Sequence, residues 1–142
     1  MNRVNIYTTQ PAAYEAMFGL EKYLKTVDLP ELLVELIKTR ASQMNGCAYC
    51  IQLHSKAAQN QNETVDRLLA LPAWRESPMF TEKERSALAL TEEVTLISRR
   101  GVSDEVYRNL QTHFNDEQIA QLIMTLTVIN AWNRIAVTTH AQ

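Results

Sequence analysis

The sequence predicts an all-α fold, a single-domain helical bundle of about six to seven helices spanning 1–142 and without a natural boundary. Three observations lead there. The 142 residues include only three glycines and four prolines, too few breakers for the turns of a sandwich or barrel. Apolar residues recur at helical spacing, and no segment alternates as a strand would. Residue pairs of capping-box type stand immediately before apolar runs.

Each element has its own warrant. Residues 11–26 read as a first helix, with Ala12, Met17, Leu20 and Leu24 near one face. Asp28 and Pro30 open a second, in which Leu32, Leu33, Val34, Leu36, Ile37, Ala41 and Met44 wrap more than half the circumference, so it should be largely buried. Asn45-Gly46 is a turn signal, and a third helix runs from about Cys47 to Gln59. A short fourth spans Glu63 to Leu71 and stops near Pro72, followed by an ordered loop from Ala73 to Phe80. Thr81 and Glu84 cap a fifth, whose stripe Ala87, Leu90, Val94 and Ile97 faces the core. Gly101 ends it, and Ser103 caps a sixth to about Thr112. Asn115 and Gln118 start the last, to about Thr138; Ile119, Leu122, Ile123, Leu126, Ile129 and Ala136 make it central or shared with another subunit.

Composition narrows the function. A net charge of −2 offers no general attraction for nucleic acid or anionic membrane. No apolar run approaches the roughly 20 residues of a membrane span, and the first residues lack a signal peptide's apolar core. A cytoplasmic protein is the expectation. In a reducing compartment the two cysteines, Cys47 and Cys50, are more often redox-active or metal-binding than a staple.

The surroundings of that pair favour chemistry. Asn45 is placed to cap the third helix, which would set both cysteines near its positive end, where a thiolate is stabilised. His54 lies one turn beyond Cys50 and suits proton exchange with a thiol. Glu35 sits within an otherwise apolar run. In a hairpin turning at Asn45-Gly46 it stands roughly 15 Å along one axis and His54 roughly 12 Å along the other, at similar height. A relay Glu35–His54–Cys50 is thus geometrically open. Other readings stand beside it: two small buried cysteines, a zinc site on Cys47, Cys50, His54 and Glu35, or Glu35 paired with Lys38 or Arg40.

Other residues carry plainer expectations. His113 and His140 read as structural, Trp74, Phe80 and Trp132 as core, interface or pocket lining, and Met17, Met44 and Met124 as core. The cluster 82–85 reads as a solvated helix start. Tyr14, Tyr23 and Arg134 could reach a site between subunits.

The pattern Glu-x11-Cys-x2-Cys-x3-His, with its surroundings from Arg40 to Ile51 and the later Asn130-Ala131-Trp132-Asn133-Arg134, resembles the alkylhydroperoxidase D-like proteins of the carboxymuconolactone decarboxylase superfamily. The motif core covers about residues 30–60. The resemblance implies a cysteine-based peroxidase acting on organic hydroperoxides or hydrogen peroxide. Cys50 would attack the peroxide, Cys47 would close a disulfide with it, and Glu35 and His54 would relay protons. It implies no haem, flavin or metal cofactor, but an external dithiol reductant such as a lipoyl-bearing protein, and a homo-oligomer, trimer or hexamer. Where some relatives place a second histidine between the cysteines, this chain has Tyr49. A general disulfide reductase, a non-catalytic redox sensor or adaptor, and a decarboxylase-like enzyme are the alternatives.

Overall fold

A computed structural model of the protein describes residues 1–141. Nine α-helices and no strand occur among them: α1 (Ile6–Thr9), α2 (Pro11–Leu24), α3 (Glu31–Asn45), α4 (Ala48–Asn60), α5 (Val65–Ala70), α6 (Glu82–Thr95), α7 (Ile97–Arg100), α8 (Asp104–His113) and α9 (Asp116–Thr139). A 3-10 turn at Leu71–Ala73 follows α5, where Pro72 stops the helix. Seven of the nine correspond to the expected segments; α1 and α7 are single turns that apolar periodicity is too long-ranged to detect.

Local signals set most boundaries. Thr81 and Glu84 form a complete capping box on α6, as do Asn115 and Gln118 on α9. Each satisfies helix-start groups that would otherwise lack partners. Ser103 caps α8 by accepting from the Val106 N–H. The expected continuation of the fifth helix through Ile97 is corrected: Leu96 leaves helical geometry and Ile97 is 57% exposed, so the core stripe ends at Val94.

The main core gathers Leu36 and Ile37 of α3, Leu88 and Leu90 of α6, and Leu122 and Leu126 of α9, all at or near zero exposure. α3 and α9 are therefore the central helices, packed on one another with α6 beside them. Of the apolar face of α2, only Leu24 is buried, because the helix packs on the single-turn α1 and on α9 and leaves Phe18 and Tyr23 open. Trp74 and Phe80 are core residues, as one of their expected readings had it.

The charged start of α6 does more than face solvent. Arg67 lies between Glu63 and Glu84, at 2.8 Å from each carboxylate, tying α5 to α6. Its hydrogen bond to Glu84, then that to Glu63, raises the guanidinium pKa above the usual arginine value despite the opposing effect of burial. The pairing holds below the ordinary arginine pKa and is lost only above the raised one, beyond any working pH. Arg85 donates to the carbonyls of Trp74 and Ser77 at 2.8 and 3.2 Å, which orders the loop before α6.

Candidate active site

α3 and α4 form a tight hairpin. Gly46 closes α3 in the left-handed region at φ 66°, where a glycine avoids the steric cost of a side chain. The next residue already caps α4. That cap is Cys47, whose Sγ accepts from the Cys50 N–H at 3.2 Å. The expectation that Asn45 caps this helix is corrected: Asn45 is the last residue of α3 and its side chain turns toward α9. Its Nδ2 donates to Asn130 Oδ1 at 3.0 Å and Asn133 Oδ1 at 2.9 Å. Asn133 Nδ2 donates in turn to Ser42 Oγ at 3.1 Å, and Asn130 Nδ2 to Thr95 Oγ1 at 3.2 Å.

This amide cluster pins the cysteine turn to the central helix α9. It also explains Asn130 and Asn133 in a largely apolar α9, since Asn133 is 1% exposed and each polar atom it buries needs a partner. Asn133→Ala leaves Asn45 and Ser42 short of partners and is expected to cost about 2 kcal/mol. Urea unfolding followed by circular dichroism checks that loss.

Cys47 and Cys50 are joined in a disulfide with their Cα atoms 5.3 Å apart. Both are almost wholly buried, packed with Ala136 of α9. Glu35 and His54 meet across the hairpin, with Glu35 Oε2 2.8 Å from His54 Nδ1. Their side chains are 19% and 15% exposed, so the pair is screened from bulk water without being sealed from it. A carboxylate only accepts, so Nδ1–H is the donor and Nε2 is left free for another partner. Glu35 does not pair with Lys38 or Arg40; Arg40 instead approaches Glu92 at 3.7 Å.

Cys50 and His54 line one cleft of about 450 Å³. Its far wall is aromatic: Tyr14 and Phe18 of α2 and Trp132 of α9 stack edge-on or tilted at centroid separations of 5.5 to 6.1 Å. Glu21 holds Trp132 in place, accepting from its indole N–H at 2.9 Å. Tyr49, between the cysteines, is exposed at the rim. Trp132 and Tyr14 are thus brought to the site. Tyr23 does not line this cleft, and Arg134 binds the Asn130 carbonyl. Phe18, Glu21 and Leu53 line the cleft without having been singled out in the sequence, where each looks like an ordinary helix residue.

The site can take up a proton, develop a thiolate at a helix start and hold an apolar molecule against it. Among the described residues no helix is long and apolar enough to cross a membrane.

Comparison with known proteins points the same way. The profile of the carboxymuconolactone decarboxylase family matches residues 11–93. The uncharacterized protein YdfG of Bacillus subtilis is 40% identical over 95% of this chain and 92% of its own length. A solved structure from Agrobacterium tumefaciens, a protein of unknown function described as a candidate antioxidant defence protein AhpD, superposes with TM-score 0.96 at 37% identity, covering 100% of this chain and 97% of that one. A Ralstonia eutropha structure, described as an alkylhydroperoxidase AhpD core and an uncharacterized peroxidase-related protein, superposes with TM-score 0.84 at 20% identity over 96% of this chain and 73% of that one, a likeness of fold.

Proposed function

The chain belongs to the carboxymuconolactone decarboxylase family, and on that premise we propose that it is a thiol-dependent peroxidase for organic hydroperoxides. One observation carries the reading: Cys50 and His54 line an aromatic cleft, and Glu35 stands behind His54 at hydrogen-bond distance. The AhpD-like neighbour and the Cys47–Cys50 disulfide fit a peroxidase-like redox role.

The cycle starts from the reduced pair. His54 Nε2 takes the Cys50 proton while Glu35 steadies the imidazolium that results. The thiolate attacks the outer oxygen of the hydroperoxide, the O–O bond breaks, and His54 returns the proton to the departing alkoxide. Cys50 is now a sulfenic acid. Cys47 attacks its sulfur, water leaves and the disulfide closes. An external dithiol, free or carried on a lipoyl-bearing protein, reduces it. The sum is one hydroperoxide and one dithiol converted to an alcohol, water and a disulfide, with no metal or organic cofactor in the cycle. A homo-oligomer belongs to the same proposal, with Tyr23 of α2, exposed and outside the cleft, available to a neighbouring copy.

The test is consumption of cumene hydroperoxide and of hydrogen peroxide with dihydrolipoamide as reductant. The cleft wall predicts a higher kcat/KM for cumene hydroperoxide. Phe18→Ser is expected to lower that value about tenfold, the effect of ~1.4 kcal/mol of apolar contact, with hydrogen peroxide little changed. Stoichiometric oxidation without turnover would overturn the reading in favour of a redox sensor.

A further inference from the structure

The two cysteines border different clefts. Cys50 lines the aromatic one, while Cys47 lines a second of about 370 Å³. Tyr49, Ala136 and Ala141 border both and form the partition between them. His140 lines only the second, together with Gly46 and Cys47.

The backbone puts that imidazole there. α9 ends with His140 in the left-handed region at φ 55°, and the N–H groups of His140 and Ala141 both donate to the Ala136 carbonyl. The chain therefore wraps back over Ala136, the residue packed directly against the disulfide. Left-handed geometry strains a side-chain-bearing residue relative to glycine. A conformation that favours glycine is thus occupied by a histidine, in the cleft that Cys47 lines.

We propose that this second cleft receives the reductant, a small dithiol or a dithiol on a flexible arm, and that His140 activates it. The proposal rests on the Cys47–Cys50 pair cycling as described above. His140 takes the proton of the incoming thiol, and the thiolate attacks Cys47 Sγ. The Cys47–Cys50 bond breaks, and its electron pair leaves on Cys50. The second thiol of the reductant then attacks the reductant's own bonded sulfur, so the reductant departs as a cyclic disulfide and Cys47 is released as a thiolate. The dithiol's two protons end on Cys47, through His140, and on Cys50. Hydroperoxide and reductant thus approach the pair from opposite sides of Tyr49, and the oxidised pair meets its reductant without emptying the aromatic cleft.

The test follows the reductive step alone, in full-length protein whose disulfide has been formed with diamide. Reduction by dithiothreitol is timed by alkylation and mass spectrometry. His140→Gly suits the backbone and is expected to fold at least as stably as the wild type. Its reduction at pH 7 should be about tenfold slower, and the deficit should vanish near pH 9.5, where the dithiol ionises unaided. Closure of the disulfide by hydroperoxide should stay within about twofold of wild type, since that chemistry lies across the partition. Acid-quenched reaction with glutathione should place the mixed disulfide on Cys47. Equal reduction rates at pH 7, a deficit that persists at pH 9.5, or a mixed disulfide on Cys50 would each overturn the assignment. If hydroperoxide fails to close the disulfide in the wild type, the peroxidase reading falls, while the diamide-based measurement still decides the role of His140.

Discussion

Cys50→Ser is expected to abolish hydroperoxide turnover, whereas Cys47→Ser should stop the cycle one step later, with a sulfenic acid at Cys50. The asymmetry follows from position. Cys50 shares its cleft with His54, the group able to remove its proton and return it to the leaving alkoxide. Cys47 is the residue capping α4, and it borders the other cleft. A serine at 50 retains a hydrogen-bonding group of similar size but is a far poorer nucleophile. A serine at 47 leaves the attack intact and removes the partner that would displace water from the sulfenate. Dimedone trapping after one equivalent of cumene hydroperoxide reads the difference: a dimedone adduct at position 50 in Cys47→Ser, and none in Cys50→Ser. An adduct at Cys47 in Cys50→Ser, with none at position 50 in Cys47→Ser, would reverse the two roles.

His54→Asn is expected to lower kcat/KM for cumene hydroperoxide about 100-fold, within the range typical of a lost general base. Glu35→Gln should lower it about tenfold. A glutamine carbonyl still accepts from Nδ1–H and holds the ring, but it lacks the charge that favours the imidazolium. The pair lies at 2.8 Å and acts as one unit, so the double variant should be no slower than His54→Asn alone. Both variants should recover as pH rises, because hydroxide then removes the thiol proton directly. A pH-independent deficit, or additive losses in the double variant, would mean that the two residues shape the site without moving its proton.

Much of this site was legible in the sequence because its four groups lie on two consecutive helices. A turn marked by Asn45-Gly46 makes them antiparallel, and a fixed rise per residue then brings Glu35 level with His54. Helix starts were legible for a similar reason, since Thr81, Ser103 and Asn115 each bond to an N–H only three residues away. The role of Asn45 was misread on this same local logic. A capping residue and a residue reaching 85 positions along the chain to Asn130 look alike until α9 is in place.

The sequence alone determined what depends on neighbours within a few turns: the helical class, most boundaries, the cysteine pair and the meeting of Glu35 with His54 across the hairpin. Tertiary structure decided what depends on helices distant in the chain. It set Tyr14 and Phe18 against Trp132 as an aromatic wall, stopped the core stripe of α6 before Ile97, and divided the surroundings of the disulfide into two clefts. The physical reason is range. Backbone hydrogen bonds and caps are satisfied locally, whereas a cleft is space left between surfaces, and its shape exists only once α2, α4 and the end of α9 have packed. His140 belongs to that second kind, an ordinary residue near a helix end until the fold sets it in the cleft that Cys47 borders.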